Sequence, residues 1–206
     1  MLARRLGRFE QAIAIGQYVL SRDPVSPTGW DDLGYALLYA GRRDEAFAAF
    51  RKVLQLSPGF VGEHQNLGTL LAVAGDAKGA MAEALAETDA QSRLYALVLA
   101  HFALGERAKS DELFAQAIER YGDVSAYPIA MLAAMRGETD LSFEWLEKCL
   151  ERGETDLGAV PTSPIFDTLH RDPRWLPFLD RMGYAPEQLA KVEFKVTLPQ
   201  AGEAAP

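Results

Sequence analysis

Among its 206 residues the chain has one cysteine, Cys149. An internal disulfide is therefore excluded, and the thiol gives no compartment signal beyond compatibility with the cytoplasm. No apolar run approaches the roughly 18–20 residues that cross a bilayer. The basic start, Met-Leu-Ala-Arg-Arg, lacks the apolar core of a secretory leader. Neither Gly-x-x-x-x-Gly-Lys-Ser/Thr nor Gly-x-Gly-x-x-Gly occurs, so no nucleotide cofactor is expected. Cations are also short: 21 Lys and Arg face 29 Asp and Glu, a net charge of −8. That balance argues against nucleic acid or an anionic membrane as the main partner. The one locally basic stretch is the N-terminal edge, where Arg4, Arg5, Arg8 and Arg22 outnumber Glu10 and Asp23.

What the chain does have is a period. Gly7, Gly41 and Gly75 stand 34 residues apart, and Ala12, Ala46 and Ala80 keep the same step. Leu20 and Leu54, Pro24 and Pro58, Leu33 and Leu67, and Gly34 and Gly68 travel with them. Self-similarity at this spacing marks a helix–turn–helix array, in which each unit buries its apolar face against a neighbour. Trp30, Leu33, Gly34 and Leu37 lie three or four apart and share one helix face. Gly34 and Gly68 let a second helix approach, with Ala46 and Ala80 as the small residues meeting them. Ser26-Pro27 reads as an N-cap followed by a first-turn proline.

The stretch Trp30-Asp-Asp-Leu33-Gly34-Tyr35, then Gly41, Ala46, Phe50, Leu54 and Pro58, resembles a tetratricopeptide repeat. The expected fold is all-α: a right-handed tetratricopeptide solenoid of antiparallel helix pairs, with a C-terminal helical cap and an extended tail. Residues 1–152 would hold about five repeats, the first truncated; 153–190 the cap; 191–206 an extended or disordered tail. Met1 to Arg5 can be only the end of a first helix, so the array opens in mid-repeat. A longer parent protein or a lone capping helix would each account for that.

After Gly75 the spacing shortens to 30 residues at Gly105 and 32 at Gly137, so the third repeat's second helix should be clipped near Glu87. Ser110 and Ser142 take the small-residue position held earlier by alanine. Ser125 reads as a cap before Pro128. Ser163-Pro164 and Asp172-Pro173 each read as cap plus first-turn proline, giving short helices near 164–170 and 173–182. Trp175, Phe178 and Leu179 should be buried against the helix of Trp145 and Leu146. The alternation Val192-Glu-Phe194-Lys-Val196-Thr-Leu198 predicts one strand, reaching the groove or another chain; residues 200–206 are expected to be disordered.

The C-terminal third also resembles the closing segment of bacterial multidomain proteins. There the array follows a class III adenylate/guanylate cyclase, a winged-helix domain or a serine/threonine kinase. The residues concerned are Gly137 to Glu147, Pro164 to Trp175, with its Leu-x-x-Asp-Pro-Arg-aromatic string, and Met182-Gly183. The resemblance implies a regulatory or dimerising role beside an upstream effector domain, and it leaves a homo-oligomer open.

No constellation supports catalysis. His64 takes the slot of Trp30 and His101 that of Leu37, so both read as packing residues without the carboxylate or cysteine partners of a zinc site. Cys149 falls on a buried stripe, with no basic group placed to lower its pKa. No metal and no cofactor are expected. The reading is a non-enzymatic, cytoplasmic scaffold that binds a protein or peptide.

The family resemblance implies that first helices line a concave groove. The groove-facing positions would be Thr28, Asp31, Tyr35, Leu38 and Tyr39, then Gln65, Thr69 and Val73. They continue with Tyr95, Leu99 and Phe102, and with Tyr127, Met131 and Met135. Relatives that grip acidic chaperone tails use lysine, arginine and asparagine there. Here Asn66 matches one such position, but Asp31, Tyr35, Gln65 and Thr69 hold the neighbouring slots and Arg93 is almost alone as a cation. An apolar or mildly basic peptide, or a helix, fits better.

Overall fold

The computed structural model describes residues 2–198, and no strand occurs among them. A short α1 (Leu2–Arg5) and α2 (Phe9–Arg22) open the array. Helix pairs follow: α3 (Pro27–Tyr39) with α4 (Arg43–Leu56), α5 (Glu63–Val73) with α6 (Ala77–Ala86), α7 (Ala90–Ala103) with α8 (Arg107–Tyr121), and α9 (Tyr127–Met135) with α10 (Thr139–Arg152). Two 3-10 segments, Thr155–Thr162 and Pro164–Leu169, lead to α11 (Trp175–Met182) and α12 (Pro186–Leu189).

The periodic glycines set the turns. Gly41 adopts a φ of 78°, and Gly7, Gly75, Gly105 and Gly137 share that left-handed conformation. In this conformation the Arg42 amide reaches back to the Leu37 carbonyl at 2.9 Å, closing α3 with the chain reversed. At the other end of α3, the Gly29 amide donates to Ser26 Oγ at 3.2 Å. α6 is four residues shorter than α4 and stops before Glu87, one helical turn, as the shortened period requires.

Contacts within the pairs follow the motif with one difference. The group directly over Gly34 is the ring of Phe50, not Ala46, while Gly68 meets the Ala80 carbonyl and the Glu83 side chain. Ser110 and Ser142 are buried, and each hydroxyl donates to a first-helix carbonyl, Val98 and Ala130 respectively, at 2.9 Å. A serine can replace alanine here because its oxygen finds an acceptor.

Several expectations need correction. α9 is not capped by Ser125. The carboxylate of Glu154, 28 residues later, accepts from the Ala126 amide at 2.9 Å and the Tyr127 amide at 3.1 Å. Segment 164–169 is 3-10 rather than α-helical, and the 3-10 turn 155–162 gave no sequence signal. Nor are the histidines free of carboxylates. His64 Nδ1 lies 2.7 Å from Glu83, and His101 pairs with Glu106.

The C-terminal segment does two things. α11 lies on α10: Trp175, Phe178 and Leu179 are buried in one cluster with Phe143, Trp145 and Leu146, and the rings of Phe178 and Phe143 meet edge to face at 6.3 Å. Arg174 of the Asp-Pro-Arg string ties Asp172 to Asp140 of α10 at 2.7 Å each. Before that, the 3-10 segments run back to the opposite end of the chain. The Thr162 hydroxyl donates to the Arg4 carbonyl at 3.2 Å, and Gly158 sits beneath the Arg5 side chain.

Residues 192–198 form no strand. Val192 and Val196 are 42% and 41% exposed, and only Phe194 and Leu198 are half-buried. A lone strand has no edge to bond, so cover comes only to single side chains, and Phe194 is the largest of them. It lies among Gly7, Phe9 and Ala40 at the first turn rather than in the groove. The expectation for residues 200–206 lies outside the described residues.

Candidate functional site

The first helices of four successive pairs, α3, α5, α7 and α9, enclose one cavity of about 210 Å³. α3 and α9 face each other across it. Of the expected groove residues, Tyr35, Leu38, Gln65, Thr69, Tyr95, Leu99, Tyr127, Met131 and Met135 all line this space. Tyr95 and Leu99 are buried rather than presented, because α5 and α9 close over them. Asp31 and Tyr39 sit beside the cavity rather than in its wall. Phe102 is elsewhere: its ring lies under Arg107 at 3.7 Å and faces Arg136 at 5.6 Å, at the turn into α8.

Sequence reasoning missed Ile165. The 3-10 segment lays this side chain between Leu38, Leu70 and Met135, where a second cavity of about 180 Å³ adjoins the first. Behind it, Phe166 is buried with its ring edge on Tyr127 at 6.1 Å. The chain's own C-terminal segment thus closes one side of the concave face. No period could reveal this, since the segment lies outside the repeats.

The cavity wall is apolar except at one end, where Gln65, Asn66, Gln91 and Ser92 gather. These groups are held in place. The Tyr35 hydroxyl donates to Asn66 Oδ1 at 2.8 Å, Asn66 Nδ2 donates to Glu63 Oε2 at 3.3 Å, and Gln91 donates to the Tyr95 hydroxyl at 2.9 Å. Burial raises the pKa of the Tyr35, Tyr95 and Tyr127 hydroxyls, so they stay neutral donors.

Beneath Asn66 lies an acidic group. Glu63 is 0% exposed and Glu87 2%. Burial, and then the charge of Asp31, push the Glu63 carboxyl up to about 8. Asp31, half-buried beside it, is raised to about 6 by burial and by Asp32. Both shifts favour a proton on this pair, and Glu63 is the group that holds it more strongly. The nearest cation is Arg4 of α1, whose guanidinium stacks over Tyr35 at 4.9 Å and Tyr39 at 4.8 Å. With Arg5 over Gly158 and Arg22 on the Tyr18 ring at 5.1 Å, much of the basic N-terminal edge is used within the fold.

Cys149 is fully buried, and burial followed by the nearby Glu154 carboxylate raises its thiol pKa, which removes nucleophilic character. No helix among the described residues is long and apolar enough to cross a membrane.

Residues 27–60, which span α3 and α4, match the model of the tetratricopeptide repeat family. A curated relative, the tetratricopeptide repeat and J domain-containing co-chaperone DNJ1 of Fusarium oxysporum f. sp. lycopersici, is 36% identical over 77 residues. The match takes in 37% of this chain and 15% of the relative's length. Among solved structures, MamA superposes with a TM-score of 0.50 at 21% identity, covering 75% of this chain and 94% of its own. YrrB, described as a TPR protein with an unusual peptide-binding site, gives a TM-score of 0.45 at 18% identity, covering 76% and 84%. The likeness to MamA shows a shared fold: an all-helical solenoid of paired helices.

Proposed function

We propose that this chain is a non-catalytic interaction module that takes a short peptide segment of a protein partner at the concave face of its array. Tetratricopeptide repeats are protein-interaction scaffolds, and the one at 27–60 contributes Tyr35 and Leu38 to the cavity wall. One observation carries the reading. Four helices that are distant in sequence bring nine expected groove residues around a single cavity, apolar in its floor and amide-lined at one end. An apolar side chain could fill the floor, while Gln65, Asn66 and Gln91 meet the main chain beside it. At about 210 Å³ the space suits one or two side chains rather than a long peptide.

Thr69 tests this, because it borders both cavities and is only half-buried. Thr69→Trp should fill the space and reduce capture of concave-face ligands from a peptide array by at least about tenfold, that is, about 1.4 kcal/mol or more. The thermal melt should stay within a few degrees of the parent. Undiminished capture by a folded Thr69→Trp variant would place binding elsewhere.

A further inference from the structure

We propose that the partner segment carries an arginine or lysine, and that its cationic group seats at Asp31 and Glu63 while a neighbouring apolar residue enters the cavity. The inference rests on the concave-face reading above and adds the charge of the ligand to it.

Three observations support it. The first is the set of unpaired acceptors. Glu63 Oε1, on a fully buried side chain, has no donor from the protein, and its neighbour is another carboxyl group. Glu87 Oε2, also buried, has no hydrogen-bond partner, although Glu87 Oε1 accepts from the Thr88 and Asp89 amides. Buried acceptors of this kind are costly to leave unmet. A proton meets part of that need for the Asp31–Glu63 pair; a cation would meet it more fully, because it compensates both carboxylates at once.

The second is what the place already accommodates. The Arg4 guanidinium lies over Tyr35 and Tyr39 and lowers the Asp31 pKa by its charge. Its Nε is buried without a partner. A planar cation therefore fits against these two rings, and Arg4 does not exhaust the acceptors around it.

The third is continuity. Asn66 bonds Glu63 on one side and borders the cavity on the other, next to Tyr35. A cation at Asp31 would thus sit beside a side chain in the cavity. The overall charge of −8 favours approach of a basic ligand.

The charged surroundings are mixed. From α3, Asp32 and the Tyr35 hydroxyl face the pair; from α1, Arg4; from the end of α6, Glu87. On the far side of α5, Glu83 already pairs with Arg51 at 2.9 Å and lies 2.7 Å from His64 Nδ1. With its carboxyl raised to about 8, Glu63 would give up its proton to solvent as the cation arrives.

The test uses the full chain and synthetic hexapeptide pools, acetylated and amidated, randomised at all positions but one. The fixed residue is arginine, citrulline, its neutral near-isostere, or glutamate. Calorimetry should show the arginine pool binding at least about tenfold more tightly than the citrulline pool. At pH 7 its heat should differ between phosphate and Tris buffers, reporting proton release. Glu63→Gln and Asp31→Asn should each shrink the arginine preference, and Arg4→Gln should enlarge it. Equal binding of arginine and citrulline pools, with Met131 and Tyr127 signals shifting in both, would overturn the charge inference and leave the concave-face reading standing. Those signals staying unmoved with every pool would sink both.

Discussion

The ring of Phe50 lies so close over Gly34 that a β-carbon there would overlap it. At the equivalent Gly68, a β-carbon would meet its nearest atom, the Ala80 carbonyl oxygen, at 3.4 Å, an ordinary contact. Two glycines in the same motif position thus differ physically. Gly34→Ala should destabilise by about 1–2 kcal/mol, overpacking outweighing the gain in helix propensity. Gly68→Ala should be neutral or stabilising by up to about 1 kcal/mol. Urea denaturation of both variants checks this, and equal losses would show that the motif position, not the Phe50 contact, sets the cost.

Glu154 caps a helix from a distance. Its carboxylate takes the Ala126 and Tyr127 amides at the start of α9 and also accepts from the Ser125 hydroxyl at 3.3 Å. A negative charge at a helix N-terminus adds to those bonds. Glu154→Ala should cost about 1–2 kcal/mol and speed hydrogen exchange at the first amides of α9. Unchanged exchange there would mean that water replaces the carboxylate without penalty.

That contact also shows where the sequence was legible. The residues that repeat every 34, and the shortened spacing after Gly75, gave the paired helices and the clipped α6, because local packing recurs with the period. Nine of the fourteen expected groove residues meet at one cavity for the same reason. Phe102 departs because Arg107 and Arg136 offer its ring a cationic stack instead. Ile165, the Glu154 cap and the Thr162–Arg4 contact join residues from 27 to 158 positions apart, outside the repeat period. Spacing alone carries no signal for such contacts. The sequence places Asp31 on the groove face and gives Glu63 no role, and only burial reveals them as a pair.

Two C-terminal phenylalanines should behave differently. Phe178 is buried against Phe143 in the core shared by α10 and α11, whereas Phe194 is half-buried at the first turn. Phe178→Ala should cost about 3–5 kcal/mol, and Phe194→Ala on the order of 1 kcal/mol or less. Thermal melts of the two variants rank them. A Phe194→Ala loss as large as that of Phe178→Ala would make the tail part of the core.

The Asp31–Glu63 pair ties stability to pH in a direction opposite to that of a salt-bridged carboxylate. The Glu63 pKa is about 8 in the folded chain against roughly 4.3 when unfolded. Between those values the native state holds more protons, so its stability falls as pH rises and levels off above about 8. Asp31, raised to about 6, acts in the same direction over the lower part of that window. Asp172 has the opposite sign but is held to about 2 by Arg174, so it contributes no slope there. From pH 5.5 to 8.5 the pair should therefore remove on the order of 1–3 kcal/mol, taking the linkage well below its full value of about 1.4 kcal/mol per pKa unit. Glu63→Gln keeps a neutral donor towards Asp31 and should flatten this decline, so its melting temperature overtakes that of the parent at the alkaline end. Parallel pH profiles for the two proteins would show that Glu63 is already ionised in the native chain at neutral pH.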